Sequence, residues 1–99
     1  MKIDIQTPGF KARQELLDLI NQKVGRLSHL SDRIVEIRVL IKASKSGTRD
    51  NKVCEISGVM PGKDLFVERK ALTFEKAIVE ATDVMKQQIT EWKEKKEQR

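Results

Sequence analysis

Apolar and polar residues follow two different periods along this chain, and the switches between them mark its elements. Lys2 to Gln6 reads KIDIQ, with Ile3 and Ile5 alternating with polar neighbours, which predicts a half-buried strand. Thr7-Pro8-Gly9 stops it, because proline lacks an amide donor and glycine permits a sharp change of direction. From Phe10 to about Leu30 the period becomes helical. Leu16, Ile20, Val24 and Leu27 fall at i, i+4, i+8 and i+11, with Leu17 beside them, and form a stripe suited to packing on a sheet. Gly25 weakens the end of this helix by about 1 kcal/mol relative to alanine, and the helix is expected to run to about Ser28.

Arg33 to Ser44 alternates almost strictly. Val35, Ile37, Val39 and Ile41 share one face; Glu36, Arg38 and Lys42 share the other, with Leu40 the apolar exception. Lys45 to Asn51, KSGTRDN, is a polar turn-rich loop. A strand over Lys52 to Met60 puts Cys54, Ile56, Gly58 and Met60 on one face, and Pro61-Gly62-Lys63-Asp64 makes a tight turn. In the next strand, Leu65 to Ala71, Leu65 and Val67 face inward. Arg69 shares their face, which places it at the end of the sheet. Thr73 is a good N-cap for a second helix, and Glu75 faces that helix's dipole. Phe74, Ala77, Ile78, Ala81, Val84 or Met85, and Ile89 form its apolar stripe, which Trp92 continues. From Lys93 onward no residue is apolar, so the tail is expected to fray.

The order β-α-β-β-β-α implies a right-handed parallel crossover followed by an antiparallel meander. Both helices must cover the same sheet face, since the other carries Glu36, Arg38, Glu55, Ser57 and Glu68. The expected fold class is an α/β two-layer sandwich with a four-stranded sheet and both helices on one face. The chain has 99 residues, which makes one domain spanning 1–99. It is 38% hydrophobic and 35% charged, enough for one modest core. It shows no apolar run long enough for a membrane span, and MKIDIQTPGF is no secretory signal. A lone cysteine, Cys54, excludes an internal disulfide and fits a reducing compartment.

Catalytic chemistry finds little footing. There is no glycine-rich phosphate loop and no nucleophile elbow. His29 reads as a surface or boundary histidine, Cys54 as an inert core thiol, and one histidine with one distant cysteine does not make a zinc site. No enzyme, metal, cofactor or small-molecule substrate is expected. The formal charge of +5 is more informative once its parts are placed. Lys11, Arg13, Lys23 and Arg26 come from the first helix, and Lys42, Lys45, Arg49 and Lys52 from the loop region. Lys86, Lys93, Lys95 and Lys96 come from the second helix. With the helices side by side, Lys23 and Arg26 on one and Lys86, Lys93, Lys95 and Lys96 on the other can form one patch of phosphate donors. The alternative is an ordinary solvated helix face of mixed charge. Trp92 either packs against the sheet edge or stacks on a base.

The stretches LLDLINQKVGRLSHLSDRI, CEISGVMPGKDLFVERKA and FEKAIVEATDVMKQQITEWKEK, taken with the order of elements, carry a resemblance over nearly the whole chain. The sequence resembles the short form of the ribosome hibernation promoting factor family, also called ribosome-associated inhibitors or sigma-54 modulation proteins. The resemblance implies a fold like a double-stranded RNA-binding domain (dsRBD-like) with an extra strand. It also implies a bacterial, cytoplasmic, non-enzymatic protein that binds the small ribosomal subunit and its rRNA in the mRNA/tRNA channel, inhibiting translation under starvation or stationary phase. By position, Lys23 and Arg26 match basic residues at the end of the family's first helix. Lys86, Lys93 and Lys95 match or adjoin basic residues of its second, and Lys96 adds to them. Val84, Gln87 and Glu91 stand where many members are basic, and Trp92 where a histidine or polar residue is common. The long form's dimerising domain has no counterpart before Arg99, so pairing of ribosomes would call for a separate ribosome-dimerising factor. Two other readings stand beside this one: a generic duplex-RNA-binding module acting off the ribosome, and a protein-interaction domain using the open sheet face at Glu36, Arg38 and Glu68.

Overall fold

A computed structural model describes residues 1–44, 49 and 51–97, residues 96 and 97 by their backbone only. Lys45 and the side chain of Lys96 therefore lie outside the described residues. The order is β1 (Lys2–Gln6), α1 (Gln14–Gly25), a 3-10 turn (Arg26–His29), β2 (Glu36–Ala43), β3 (Lys52–Met60), β4 (Lys63–Ala71) and α2 (Phe74–Glu97). The four strands form one sheet in the order β1-β2-β3-β4. β1 lies parallel to β2, with Ile3 opposite Ile37 and Ile5 opposite Val39. β2, β3 and β4 pair antiparallel, as the crossover-then-meander pattern requires.

One core lies between the sheet and the two helices. Leu16, Ile20, Val24 and Leu27 enter it from the first helical segment, and Ala77, Ile78, Ala81, Met85, Ile89 and Trp92 from α2. Ile37, Val39, Ile41, Cys54, Ile56, Leu65 and Val67 meet them from the sheet. Met85, not Val84, is fully buried; Val84 packs at the margin. Thr73 caps α2 as expected, its Oγ1 accepting the Lys76 amide at 3.1 Å. Pro61 and Gly62 alone join β3 to β4, Gly62 taking the positive φ of 76° that a tight turn after proline demands.

The structure corrects the sequence pattern in three places. The first helix starts at Gln14, not Phe10, because Gly9 turns the chain at φ 85° and the Phe10 amide donates to the Thr7 carbonyl. Phe10 instead stacks on Phe74, with ring centroids 5.1 Å apart. The helix also tightens into a 3-10 turn at Arg26, one residue after Gly25. Val35, expected inward, is 56% exposed; its backbone pairs with Lys2 and Val59, and Ile34 fills the core in its place. Val53, on the open face opposite Lys42 and Lys70, is buried outside the main core, in a cleft shared with Lys42, Glu68 and Lys70. Arg69 lies near the sheet's end, exposed, and donates to the Glu68 carbonyl at 2.9 Å. α2 continues as helix through Glu97, past the point where its apolar stripe ends.

Candidate nucleic-acid interface

α1 and α2 lie side by side over the sheet, and a groove of about 190 Å³ opens between them. It is lined by Lys23, Arg26, Leu27, Leu30, Thr82, Asp83 and Lys86. The stripe that buries Ile20, Val24 and Leu27 leaves Lys23 and Arg26 at the rim, in the last turn of α1 and the 3-10 turn after it. On α2, burial of Ala81, Met85 and Ile89 turns Asp83 and Lys86 toward the same rim. Thr82 forms part of the floor. Its hydroxyl is shared between the Ile78 and Val79 carbonyls, which fixes it inside its own helix.

The structure thus brings together three of the basic residues singled out from the sequence. Among the described residues, Lys23, Arg26 and Lys86 form no ion pair, although Asp83 shares the groove. Lys23 also sits at the C-terminal end of α1, where a cation complements the helix dipole. Lys93 follows Lys86 by seven residues. At about 100° and 1.5 Å per residue it lies on the same flank, about 10 Å along the axis, and it is exposed. Lys95 does not join them. Nine residues from Lys86, it lies about 180° around the helix, in a cleft with Lys63, Phe66, Gln88 and Trp92.

The open sheet face is electrostatically different. There Glu36 pairs with Arg38 at 2.8 Å and with Lys2 at 3.8 Å, and Glu55 pairs with Lys42 at 3.0 Å. The hydrogen bond from Lys42 to Glu55 raises the lysine's pKa. Of the loop cations, Lys42 is thus neutralised by a partner, Lys52 sits 5.5 Å over the Phe74 ring, and Arg49 is exposed. The larger cleft, about 500 Å³ at the N-terminal ends of both helices, sets Lys11 and Arg13 against Glu15 and Glu75, so its charges cancel. Among the described residues, the helix groove sets three cations, none of them in an ion pair, against one carboxylate.

Trp92 resolves in favour of packing. It is 6% exposed within the core, so no base can stack on it. Cys54 is fully buried, and desolvation pushes its thiol up from 9.0 to about 12, which removes the thiolate that reactive cysteines need. His29 is exposed at the end of the 3-10 turn. The sequence reading overlooked Thr82 and Asp83. Their placement three and four residues before Lys86, on one helical face, is the signal that finds them.

Residues 3–97 match the family described as Sigma 54 modulation protein / S30EA ribosomal protein. The chain belongs to this family. Membership makes it a ribosome-associated factor. Two solved structures share the fold of this S30EA family member. The N-terminal domain of Thermus thermophilus Protein Y superimposes with a TM-score of 0.78 at 22% identity, covering 93% of this chain and 99% of that one. A ribosomal subunit interface protein from Coxiella burnetii gives 0.81 at 17% identity, covering 94% and 98%. No curated protein matches by sequence. Among the described residues, no helix of this S30EA protein is long and apolar enough to cross a membrane.

Proposed function

We propose that this protein is a hibernation factor that binds the small ribosomal subunit in its mRNA/tRNA channel and so blocks translation in starved or stationary-phase cells. Its partner is rRNA, held by phosphate contacts from Lys23, Arg26 and Lys86 across the helix groove, extended along α2 by Lys93. The observation that carries this reading is the convergence of three unpaired cations from two helices on one groove, in a chain whose family is ribosomal. Phosphates ask for point charges and guanidinium forks on mobile stems, with no fixed sequence spacing, and the groove supplies both. A rigid helix pair presents them as one surface, so recognition rests on RNA shape and backbone, not on base edges. The groove itself offers three cations against one carboxylate, so steric fit to the channel contributes alongside charge. The names of the two structural neighbours, a Protein Y domain and a ribosomal subunit interface protein, agree with this site of action.

The test is co-sedimentation with purified small subunits, paired with cell-free translation. Wild-type protein is expected to sediment with small subunits at low salt and to inhibit translation. Changing Lys23, Arg26, Lys86 and Lys93 together to glutamate is expected to abolish both while leaving the circular dichroism spectrum intact. Undiminished binding by a folded quadruple variant refutes the assigned site. Tight binding to plain duplex RNA with no preference for subunits refutes the channel.

A further inference from the structure

Strand β4 is a nine-residue edge of the sheet, paired only with β3 among the described residues. Its outward main-chain groups can be identified. The Val35 amide donates to the Val59 carbonyl at 2.9 Å, so Val59 directs its main chain toward β2 and away from its β4 partner Asp64. In an antiparallel ladder a residue's N–H and C=O point to the same side, and the sides alternate. Asp64, Phe66, Glu68 and Lys70 therefore present their N–H and C=O groups outward. Gln88 agrees, reaching the Phe66 carbonyl from outside at 3.4 Å. The side chains of these four residues lie on the open face, where Phe66 is 55% exposed.

Such a row of alternating donors and acceptors is a template on which another extended strand can pair. The order of charges on β4 selects which strand. If β4 meets a second β4 antiparallel, with Val67 opposite Val67, the outward residues pair with outward residues: Asp64 with Lys70, and Phe66 with Glu68, each twice. Both acid–base pairs are attractive, and the two exposed Phe66 rings become diagonal neighbours beside the two-fold axis. A shift of two residues one way places Asp64 opposite Glu68, and two the other way places Glu68 opposite Glu68. Both neighbouring registers are repulsive, so the sequence favours one. The second layer is compatible. α2 lies over β3 and β4, so with strands spaced about 4.8 Å apart the two α2 axes come to about 10 Å, a normal helix-packing distance.

We propose that a second copy of this chain pairs with β4 through its own β4, antiparallel about Val67, making an eight-stranded sheet across the two-fold. Gln88 then acts as a placeholder on the Phe66 carbonyl, released when the Glu68 amide of the second copy takes its place. The helix groove lies on the opposite flank of α2 and remains open in the dimer. This inference goes beyond the ribosomal reading and does not depend on it.

The test is sedimentation equilibrium of nucleic-acid-free protein from micromolar to millimolar concentration, with circular dichroism confirming the fold of each variant. The average mass is expected to rise from 11.4 kDa toward twice that value. Asp64→Lys and Lys70→Asp, each converting two attractive pairs into two repulsive ones, should each weaken the dimer at least about tenfold. The double variant Asp64→Lys/Lys70→Asp should restore the wild-type dissociation constant. A monomer at every concentration overturns the proposal. So does a dimer indifferent to the single reversals, or one that the double reversal fails to restore.

Discussion

At Gly58 the sheet meets the Met85 side chain of α2 at close quarters, and a larger side chain there is expected to lever the helix off its seat. A Cβ added at Gly58 would stand 3.3 Å from the Met85 sulfur, 3.6 Å from Ile37 Cδ1 and 3.7 Å from Leu65 Cβ. The first contact is tighter than a relaxed Cβ contact, and the other two leave no room for further carbons. Gly58→Ala asks Met85 to give by a few tenths of an ångström. That cost is offset by about 0.5–1 kcal/mol from lost chain freedom in a strand, so the variant should be near neutral. Gly58→Val adds two methyl groups that have nowhere to go and should cost about 1–3 kcal/mol, typical of overpacking. For a domain of this size each kcal/mol lowers the melting temperature by about 4–8 °C. Met85→Ala alone should cost about 2–5 kcal/mol as a cavity, but in the Gly58→Val background the cavity receives the valine. Urea denaturation of the four proteins should therefore give a coupling energy of at least about 1 kcal/mol. Strict additivity, or a Gly58→Val protein as stable as wild type, would refute the packing account. The consequence reaches the groove, because Met85 adjoins Lys86 in sequence.

Two further predictions concern buried groups. The Cys54 thiol stays neutral in the folded protein until about pH 12, whereas the unfolded thiol ionises near 9.0. Above pH 9 the unfolded state binds fewer protons, so stability falls as pH rises, by about 2 kcal/mol near pH 10.5. Below pH 9 this group contributes no slope. Urea titrations of wild type and Cys54→Ala at pH 8 and pH 10.5 check this; an equal pH dependence in both would contradict it. Trp92 buries an indole N–H with no acceptor among the described residues. Trp92→Phe removes that unsatisfied donor and should stay within about 1 kcal/mol of wild type, while Trp92→Ala should lose about 3–5 kcal/mol. Thermal melts separate the two; a phenylalanine variant as damaged as the alanine one would show that the indole N–H is satisfied.

Period and turn chemistry made most of the fold legible. The alternation in β2 and β3, the stripe through Leu16, Ile20 and Val24, the cap at Thr73 and the Pro61-Gly62 turn each act over a few residues, so the sequence displays them directly. Val35 and Phe10 were misplaced for the complementary reason. Val35 and Glu36 both face Val59, so the alternation slips by one residue just before β2 and Ile34 takes the core position, while Phe10 stacks on Phe74, sixty-four positions away. The groove was half legible. Lys23, Arg26 and Lys86 follow from knowing which helix faces are buried, but the separation of Lys95 from Lys86 needed the angular bookkeeping of a single helix. The pairing of Lys2 with Glu36 and of Lys42 with Glu55 was not readable, since strand register decides it, whereas Arg38 and Glu36 stand two residues apart on one face of β2. That neutralisation sharpens the meaning of the +5 charge. The paired cations lie on the open sheet face, whereas Lys23, Arg26 and Lys86 stand without an ion pair where the two helices meet.

The most direct measurement is the salt dependence of binding to purified small ribosomal subunits by the wild type and by a Lys23→Gln/Arg26→Gln/Lys86→Gln variant. Each phosphate neutralised contributes about 0.7–0.9 to the slope of log affinity against log salt. The variant is therefore expected to bind more weakly at low salt, with a slope shallower by about 2–3. Equal affinity and equal slope in the two proteins would contradict the claim that the helix groove holds ribosomal RNA.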